Sequence, residues 1–570
     1  MDESKKSSNF LLCLFFISLL IAILAWITYG TLEGVLGMLS FIIVGLIALY
    51  PWAIPFVGIV LGILDFLGFY RLGIYELSLK IARLESSWMT IVWYWTVSVI
   101  GILVNIMLMD KILSKLKKLK KKEPKKNLAI INCSIIDGNI DSKLITNGII
   151  LVKNIVEEGE KPGIITAVGK NDDIEIPKDY KIIDLKGKFI LPGLINAHCH
   201  IFGSGKPTKL MEIDTEKLKK IAKILETPLG KYYMMRSMKK HALISLNAGV
   251  TTLRSMGEPM YFDIKLRKKI EKGEIIAPRL LCAGRGICPT GGHGEWFGFA
   301  VDDTGEIRKA VRRNIRNEVD HIKILSTGGV MDARMVGEAG RPQMTIEEIE
   351  IACIEAHRGN LLIATHCEST EGIKEALLGG VDTIEHGAEI TDDLIDVFKN
   401  NQKALRGYTA VVPTISAGMG LATLSAKDTK ITPIKRENAK IIELGMIKGL
   451  QRAYKEGIRF GVGTDASVPY VPHYNLWKEL VYLVKYTGMS NQEAIYYATK
   501  NNAEIIGVGD ITGSIEVGKS ADFQVVSGNP LDNLENLGQV SMVFIRGYVI
   551  KDPKVKKFKK LKEFEPIELE

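Results

Sequence analysis

The sequence predicts an α/β fold: a (β/α)8 TIM barrel with a composite β-sandwich domain, preceded by an N-terminal α-helical membrane domain. Three observations support this prediction. Eight short apolar segments alternate with amphipathic helices between Gly193 and Gly507, short strands lie on both sides of that region, and the first hundred residues are mostly apolar. Eight strand–helix repeats indicate a parallel sheet that closes on itself.

The barrel is assigned to residues 193–507, and its strand candidates are separated by helical patterns such as Ile346–Arg358 and Arg436–Lys455. In such barrels the active site forms where the carboxyl ends of the strands converge, so residues at those ends are the first candidates for chemistry. The eight candidates are Leu194–His198, Thr251–Met256, Leu280–Ala283, His321–Leu325, Leu361–His366, Thr383–His386, Ala410–Thr414 and Arg459–Thr464.

The chain on both sides of the barrel shows short strands and turns. Leu128–Ile131 and Phe189–Leu191 are examples before the barrel, and Arg546-Gly547 marks a turn after it. Because two β segments flank one barrel in sequence, residues 127–192 and 508–560 are expected to form a single β-sandwich.

Residues 1–110 are expected to form a transmembrane helical domain. Phe10–Tyr29 and Trp88–Met109 are each long enough to cross a hydrocarbon core, which takes about 20 helical residues. Further apolar segments between them are divided by Pro51 and Pro55, which break or turn a helix. Four crossings are therefore expected, with three as the alternative if the proline-flanked pair is a re-entrant hairpin.

A run of lysines in the predicted linker, residues 111–126, could account for the whole formal net charge of +9. By the positive-inside rule it places the rest of the chain in the cytoplasm and the protein in the cell membrane as an integral protein. The excess charge therefore indicates membrane lipid as a partner. Nucleic acid is not expected, because the large domain has no basic stripe with interleaved aromatic residues. Seven cysteines at irregular spacing favour a reducing compartment.

Five of the nine histidines lie at or just beyond the ends of predicted barrel strands. His198 and His200 end the first strand two residues apart. Because alternate residues of an extended chain face the same side, both imidazoles can reach one metal ion. Asp465 ends the eighth strand. His366 ends the fifth strand, His386 ends the sixth, and His293 follows the third.

Lys323 lies in the fourth strand with apolar residues on both sides. Burying an ammonium group there is unfavourable unless it is paired or neutralised. A neutral amine can react with carbon dioxide to form a carbamate, an anion with two oxygens able to bridge two cations. A structural ion pair is the alternative for this side chain.

Several segments resemble the signature of the amidohydrolase superfamily, and within it the Xaa-Pro dipeptidase and imidazolonepropionase-related branch. Lys323, followed by the Ser-Thr-Gly-Gly-Val stretch that begins at Ser326, is similar to the two-metal members with a carbamylated lysine. The resemblance covers roughly Asn127 to Asp552. It is carried by Ile190–His200, Ile384–Gly387, Gly463–Asp465 and Gly513–Asp522.

The resemblance implies two divalent metal ions, with zinc as the expected metal, bridged by carboxylated Lys323 and a hydroxide. It implies Asp465 as the catalytic group that accepts the water's proton and passes it to the leaving amine. The metal ligands that it implies are His198, His200 and Asp465 for the first ion, and His366 and His386 for the second.

Two more residues are assigned to catalysis or substrate binding. His293, in a glycine-flanked loop after the third strand, is expected to hydrogen-bond the substrate or the developing oxyanion. Arg254, at the end of the second strand, is expected to bind a substrate carboxylate, with a barrel-mouth ion pair as the alternative.

The expected function is that of a membrane-anchored, metal-dependent amidohydrolase. It would cleave the C–N bond of a dipeptide or N-acyl amino acid by attack of the metal-bound hydroxide. A cyclic amide hydrolase, a mononuclear deaminase and a catalytically inactive membrane sensor or scaffold are the alternatives. The expected partners are a small-molecule or dipeptide-like substrate and membrane lipid, with a homo-oligomer left open.

Overall fold

The computed structural model describes residues 126–155, 162–207, 223–558, 561 and 564–569. The chain divides into two units between Lys121 and Lys122, and every described residue lies in the second. The predicted membrane domain (1–110) lies outside the described residues, as does the predicted linker (111–126) except for its last residue. Within the described part of the chain, no helix is both long and apolar enough to cross a bilayer.

The strands of the described residues are numbered in chain order. They are β1 (Leu128–Ile135), β2 (Ile145–Lys153), β3 (Ile164–Lys170), β4 (Lys181–Asp184), β5 (Phe189–Pro192), β6 (Leu194–Cys199), β7 (Val250–Ser255), β8 (Arg279–Cys282), β9 (Ile287–Cys288), β10 (Phe299–Ala300), β11 (His321–Leu325), β12 (Leu362–Cys367), β13 (Thr383–His386), β14 (Ala410–Val412), β15 (Phe523–Val526), β16 (Val540–Ile545) and β17 (Tyr548–Lys551).

The α-helices are numbered in the same way. They are α1 (Pro228–Asn247), α2 (Phe262–Glu271), α3 (Thr304–Arg316), α4 (Ile346–Arg358), α5 (Thr370–Gly379), α6 (Asp392–Lys399), α7 (Ile415–Thr423), α8 (Ala426–Thr429), α9 (Pro433–Glu456), α10 (Leu476–Thr487), α11 (Asn491–Tyr496) and α12 (Asn502–Ile505). Helix α4 shows why some bounds were predictable. Thr345 and Glu348 form a reciprocal capping box at its start, and Gly359 follows its last residue.

One sheet combines strands from before and after the barrel, in the order β17-β16-β15-β5-β1-β2-β3, with β4 paired to β1. Strand β5 ends immediately before the barrel and pairs antiparallel with β15, which follows it, so that Ile190 lies opposite Val525. Ile130, Phe523 and Phe544 are fully buried in the core of this domain. The two β segments of the chain therefore share one hydrophobic core.

This domain differs from the predicted β-sandwich, because its strands form a single hydrogen-bonded sheet. Strand β1 is the reason. Its first residues pair in parallel with β4, whereas Ser134 and Ile135 pair with β5. The register of β1 shifts between Ile130 and Cys133, with Asn132 at a left-handed φ of 53°. Such a bulge bends a strand, and here it lets β1 join two parts of the sheet.

The second domain is a TIM-barrel-like α/β domain of parallel strands. β6, β7 and β8 pair in that order, and β11, β12, β13 and β14 form the main part of a second sheet. The backbone N–H of Asp320 donates to Cys282 O at 2.8 Å, next to the start of β11. Seven of the eight predicted barrel strands are therefore present, with bounds that differ by two residues at most.

The eighth predicted strand, residues 459–464, enters the barrel through isolated bridges and not as a regular strand. Gly461 N donates to Val411 O at 2.7 Å on one side, and Ala197 N donates to Val462 O at 3.0 Å on the other. These bonds close the barrel between β14 and β6. The close approach of this segment to β6 requires glycine, because a Cβ at Gly463 would lie 2.5 Å from His198 Cβ.

Candidate metal centre

Four histidines and one aspartate meet where the first, fifth, sixth and eighth strands of the barrel end. The ring centroids of His198 and His386 are 4.8 Å apart, and those of His366 and His386 are 4.7 Å apart. Asp465 Oδ1 lies 3.5 Å from Nε2 of His198 and 3.4 Å from Nε2 of His200. The structure thus brings together all five of the predicted histidine and aspartate ligands.

Backbone geometry turns two of these side chains into the site. His386 and Asp465 have left-handed φ angles of 69° and 55°. Such angles are uncommon for residues other than glycine and concentrate at functional sites. Consecutive residues of a regular strand face opposite sides, yet Glu385 and His386 both contact His198. The left-handed turn at His386 accounts for that exception.

Three of the histidines are oriented by hydrogen bonds at their Nδ1 atoms. His198 Nδ1 lies 2.8 Å from Glu385 Oε2, and His200 Nδ1 lies 2.8 Å from the carbonyl oxygen of Gly257. His386 Nδ1 lies 2.7 Å from Thr414 Oγ1. A partner on one ring nitrogen sets the tautomer and leaves the other nitrogen free to bind a metal ion.

The donor atoms form two groups, and within each group they lie within 4.8 Å of one another. The first group is His198, His200 and Asp465, and the second is His366, Glu368 and His386. Three buried polar atoms of the site have no hydrogen-bond partner among the described residues: Lys323 Nζ, Asp465 Oδ1 and Glu368 Oε2. Unpartnered buried polar atoms are rare, and nitrogen and carboxylate donors suit divalent metals such as zinc. The residues present therefore fit a metal centre.

Lys323 is 2% exposed in strand β11. Burial lowers the pKa of its ammonium group to about 8, although the carboxylates of Glu385 and Asp465 oppose that change. Its Nζ has no hydrogen-bond partner in the described part of the chain, so the structural ion pair left open from the sequence is not formed there. A larger neutral fraction of this amine is what carbamate formation requires.

Burial also favours the neutral form of three of the clustered histidines. It lowers the pKa of His200 to about 4, and those of His366 and His386 well below the usual value. Burial opposes ionisation of Asp465, but the imidazoles of His198, His200 and His386 that face its carboxylate outweigh burial and lower its pKa. Neutral imidazoles and an ionised carboxylate are the protonation states that bind metal ions.

His293 lies beside the second donor group, with its ring centroid 4.3 Å from that of His366. Its Nδ1 is hydrogen-bonded to Asp332 Oδ2. Burial lowers the pKa of His293, but the hydrogen bond and charge of Asp332 outweigh burial, so the pKa is raised. Gly329 makes room for the ring, because a Cβ there would lie 2.5 Å from it.

Arg254 is 1% exposed, and its guanidinium is bonded within the barrel. Nη2 donates to Glu385 Oε1 at 2.5 Å, Nε donates to Ala197 O at 2.6 Å, and Nη1 donates to Thr383 Oγ1 at 3.2 Å. The structure therefore has Arg254 in the ion pair that the sequence left as the alternative to substrate binding. Through Glu385, this arginine helps to orient His198.

Three residues of the site were not identified from the sequence. Glu385 and Asp332 hold His198 and His293, and neither pairing has a signal in the local sequence, since the partners are far apart in the chain. Glu368 does have a signal in the local sequence. His366-Cys367-Glu368 repeats the spacing of His198-Cys199-His200, in which residues two apart reach the same ion.

A parallel barrel with histidine and carboxylate donors at the carboxyl ends of its strands defines a barrel metallohydrolase. Residues 189–550 match the amidohydrolase family, and the chain belongs to that family. It is an enzyme, a metal-dependent hydrolase acting on C–N bonds. The family membership expected from the sequence motifs is confirmed.

Three comparisons illustrate this membership. A Bifidobacterium longum structure assigned as a prolidase is 37% identical, with a TM-score of 0.67 over 77% of this chain and 97% of that one. Ochratoxinase from Aspergillus niger is 24% identical over 54% of this chain and 67% of its own length. A 5-methylthioadenosine/S-adenosylhomocysteine deaminase from Bacillus cereus (strain ZK / E33L) is 24% identical over 72% and 87%.

Proposed function

We propose that the enzyme hydrolyses the amide C–N bond of a dipeptide or N-acyl amino acid at a site that holds two divalent metal ions, zinc being the expected metal. One observation carries the proposal. The two groups of donor atoms meet at the neighbouring rings of His198 and His386. The unpartnered Nζ of Lys323 interacts electrostatically with histidines of both groups.

The residues divide the metal-binding work as follows. His198, His200 and Asp465 would hold one ion, His366 and His386 would hold the other, and carboxylated Lys323 would contact both. When bound, two divalent cations lower the pKa of water and polarise the scissile carbonyl. Arg254 and Glu385 keep His198 in the tautomer that presents Nε2 to the site.

Two residues are proposed to act on the substrate or on its protons. Asp465 has a carboxylate oxygen without a hydrogen-bond partner among the described residues and a lowered pKa, so it can accept the proton of the attacking water. It can then pass that proton to the departing amine. His293, oriented by Asp332, is proposed to hydrogen-bond the carbonyl oxygen as negative charge develops there.

The substrate class rests on relatives whose names describe prolidase and ochratoxinase activities. The apolar segments of residues 1–110 support a further proposal, that the chain is anchored in the cell membrane with the catalytic domain in the cytoplasm. An enzyme held at a bilayer would meet amphiphilic substrates such as N-acyl amino acids.

The test is a substrate panel assayed with the full chain in detergent, loaded with zinc and compared with the chelated protein. Dipeptides, N-acyl amino acids, a cyclic amide and an adenosine-type nucleoside are the four classes. We expect one amine and one carboxylate per turnover from a dipeptide or N-acyl amino acid, with no activity after chelation. Hydrolysis of neither class would contradict the proposal.

A single-metal deaminase is the second candidate, and Glu368 is the observation that favours it. Its Oε2 lies 3.8 Å from His366 Nε2, and burial raises the pKa of Glu368 to about 8. A protonated acid beside a metal ligand could deliver a proton to a departing ammonia molecule. In the same panel, ammonia released from the nucleoside without a new carboxylate would select this alternative.

A further inference from the structure

Two buried acids outside the predicted metal ligands form no ion pair with any described residue. Glu443 in α9 and Glu479 in α10 are 0% and 1% exposed. Both carboxylate oxygens of Glu443 and Oε1 of Glu479 lack a hydrogen-bond partner among the described residues. Buried carboxylates are rarely left this way, because removing them from water is unfavourable unless another group compensates.

Both acids contact the chain that follows strand β14 of the barrel. Glu479 Oε2 accepts a hydrogen bond from Ser416 N at 3.0 Å, in the first turn of α7. Thr414, two residues earlier, contacts His386 Nδ1 and also Sδ of Met446, which lies in α9 one turn after Glu443. The two acids therefore adjoin the segment that orients a metal-binding histidine.

Glu443 also interacts electrostatically with Glu368 of the metal centre. Burial raises the pKa of Glu443 well above its usual value, and the charges of Glu479 and Glu368 raise it further. Burial also raises the pKa of Glu479 to about 8. Gly418 packs directly against Glu443, since a Cβ there would lie 2.3 Å from Glu443 Oε2.

We propose that Glu443 and Glu479, together with Glu368, form a subsite for a cationic side chain of the substrate, a guanidinium or an ammonium group. The inference rests on the proposed amide hydrolase function and specifies its substrate class. A planar guanidinium has five N–H donors and can satisfy two carboxylates at once. Binding of such a group would compensate the buried acids next to the atoms that cleave the amide.

Ligand binding tests the subsite without turnover. We would titrate the metal-loaded full chain in detergent with L-arginine, and with L-citrulline, which has an uncharged urea in place of the guanidinium. We expect arginine to bind roughly 10- to 100-fold more tightly, the range that hydrogen bonds to charged groups contribute. Equal affinities would overturn the proposal and leave a shared proton as the explanation for the acid pair.

Steady-state kinetics test the same preference for arginine over citrulline in substrates. Dipeptides that contain arginine or citrulline would be compared, each with a free and with an acetylated amino terminus. A preference of roughly 10-fold or more for arginine in kcat/KM, retained after acetylation, supports a side-chain subsite. Equal kcat/KM values for the arginine and citrulline dipeptides would overturn the proposal.

Variants assign the effect to these residues. Glu443→Gln and Glu479→Gln keep the size of the side chain, and each should reduce the arginine-to-citrulline ratio about 10-fold. Glu437→Gln is the control, because Glu437 lies exposed on the same helix as Glu443. An unchanged ratio in both acid variants would overturn the proposal. Hydrolysis of citrulline dipeptides with no preference would reject the subsite alone, whereas absence of any C–N hydrolysis would reject the proposed function.

Discussion

The two donor groups of the metal centre differ in how completely the protein holds them. In the first group, His198 is bonded to Glu385, which is bonded in turn to Arg254, and His200 is bonded to Gly257 O. In the second group the histidine partners are uncharged: His386 is bonded to Thr414 and His366 to Gly328 O. Each group keeps one carboxylate oxygen without a partner in the described part of the chain, Asp465 Oδ1 in the first and Glu368 Oε2 in the second.

This difference indicates a division of roles between the two groups. Ligands locked by further hydrogen bonds favour one fixed geometry and tight metal binding. The second group adjoins His293 and the acids Glu443 and Glu479, so its surroundings can recognise substrate as well as metal. Changes to the first group should therefore reduce metal binding, whereas changes around the second should alter substrate preference or pH dependence.

Replacing Asp465 with asparagine should have the largest effect. Asp465→Asn removes an ionised ligand of the first group together with the proposed proton acceptor, so kcat should fall by at least ~10³-fold. Metal analysis beside steady-state kinetics would measure both effects. Asp172→Asn, an exposed position in the β domain, is the control. Activity within tenfold of the original protein would show that another group accepts the proton.

Removing the Lys323 side chain should have the second largest effect, because this side chain acts on both donor groups. Lys323→Ala should reduce the metal content from about two ions per chain to about one or fewer, with a large loss of kcat. Elemental analysis of the detergent-solubilised protein gives the stoichiometry. Lys309→Ala, in α3 on the protein surface, is the matched control. One ion per chain before and after the mutation would support the single-metal alternative.

Glu385→Gln should weaken metal binding without removing a ligand. Loss of the carboxylate beside His198 should lower metal affinity roughly 10- to 100-fold. The variant also leaves Arg254 buried without its ion-pair partner, which should lower the free energy of unfolding by about 3–5 kcal/mol. Competition with a chelator and denaturant unfolding would measure the two effects.

A double variant separates those two effects. Glu385→Gln with Arg254→Met removes the unpaired charge, so much of the stability should return while metal affinity stays low. If metal affinity returned together with stability, the ion pair would matter only for folding.

Most of the barrel could be predicted because its signals are local. The capping box at Thr345 and Glu348 set the start of α4, and a short apolar segment such as His321–Leu325 identified a strand directly. The eighth strand was less regular than predicted, because Gly461 and Gly463 serve a close approach to β6 and not a full ladder. The single sheet of the β domain depends on the bulge in β1, which no periodicity reveals.

The candidate site was predictable only where its residues fall at strand ends. His198, His200 and Asp465 share that position, and the convergence of strand ends brings such residues together. Arg254 shares it as well, but its partner is Glu385 across the barrel, and a sequence cannot show which of two charged groups will be nearest. Glu443 and Glu479 lie in helices with ordinary amphipathic patterns, so only the packing of α7, α9 and α10 shows that they are buried together.

The smallest effect should follow from Asp332→Asn, which leaves both donor groups intact. Asp332 raises the pKa of His293, so the variant should lower it. If protonated His293 stabilises the oxyanion, kcat/KM falls as pH rises through that pKa, and this alkaline limb should move to lower pH in the variant. The pair also contributes stability while Asp332 is ionised and His293 is protonated, and this contribution is lost as pH rises through the raised pKa of His293.

That stability term should be under ~1 kcal/mol, because the Asp332 side chain is 37% exposed and solvent screens the pair. The pH profile of kcat/KM is therefore the more sensitive measurement. An alkaline limb that stayed in place while kcat/KM fell equally at every pH would assign Asp332 to the shape of its loop and not to the protonation of His293. The control is Asp393→Asn, an exposed position in α6 whose loss should leave the profile unchanged.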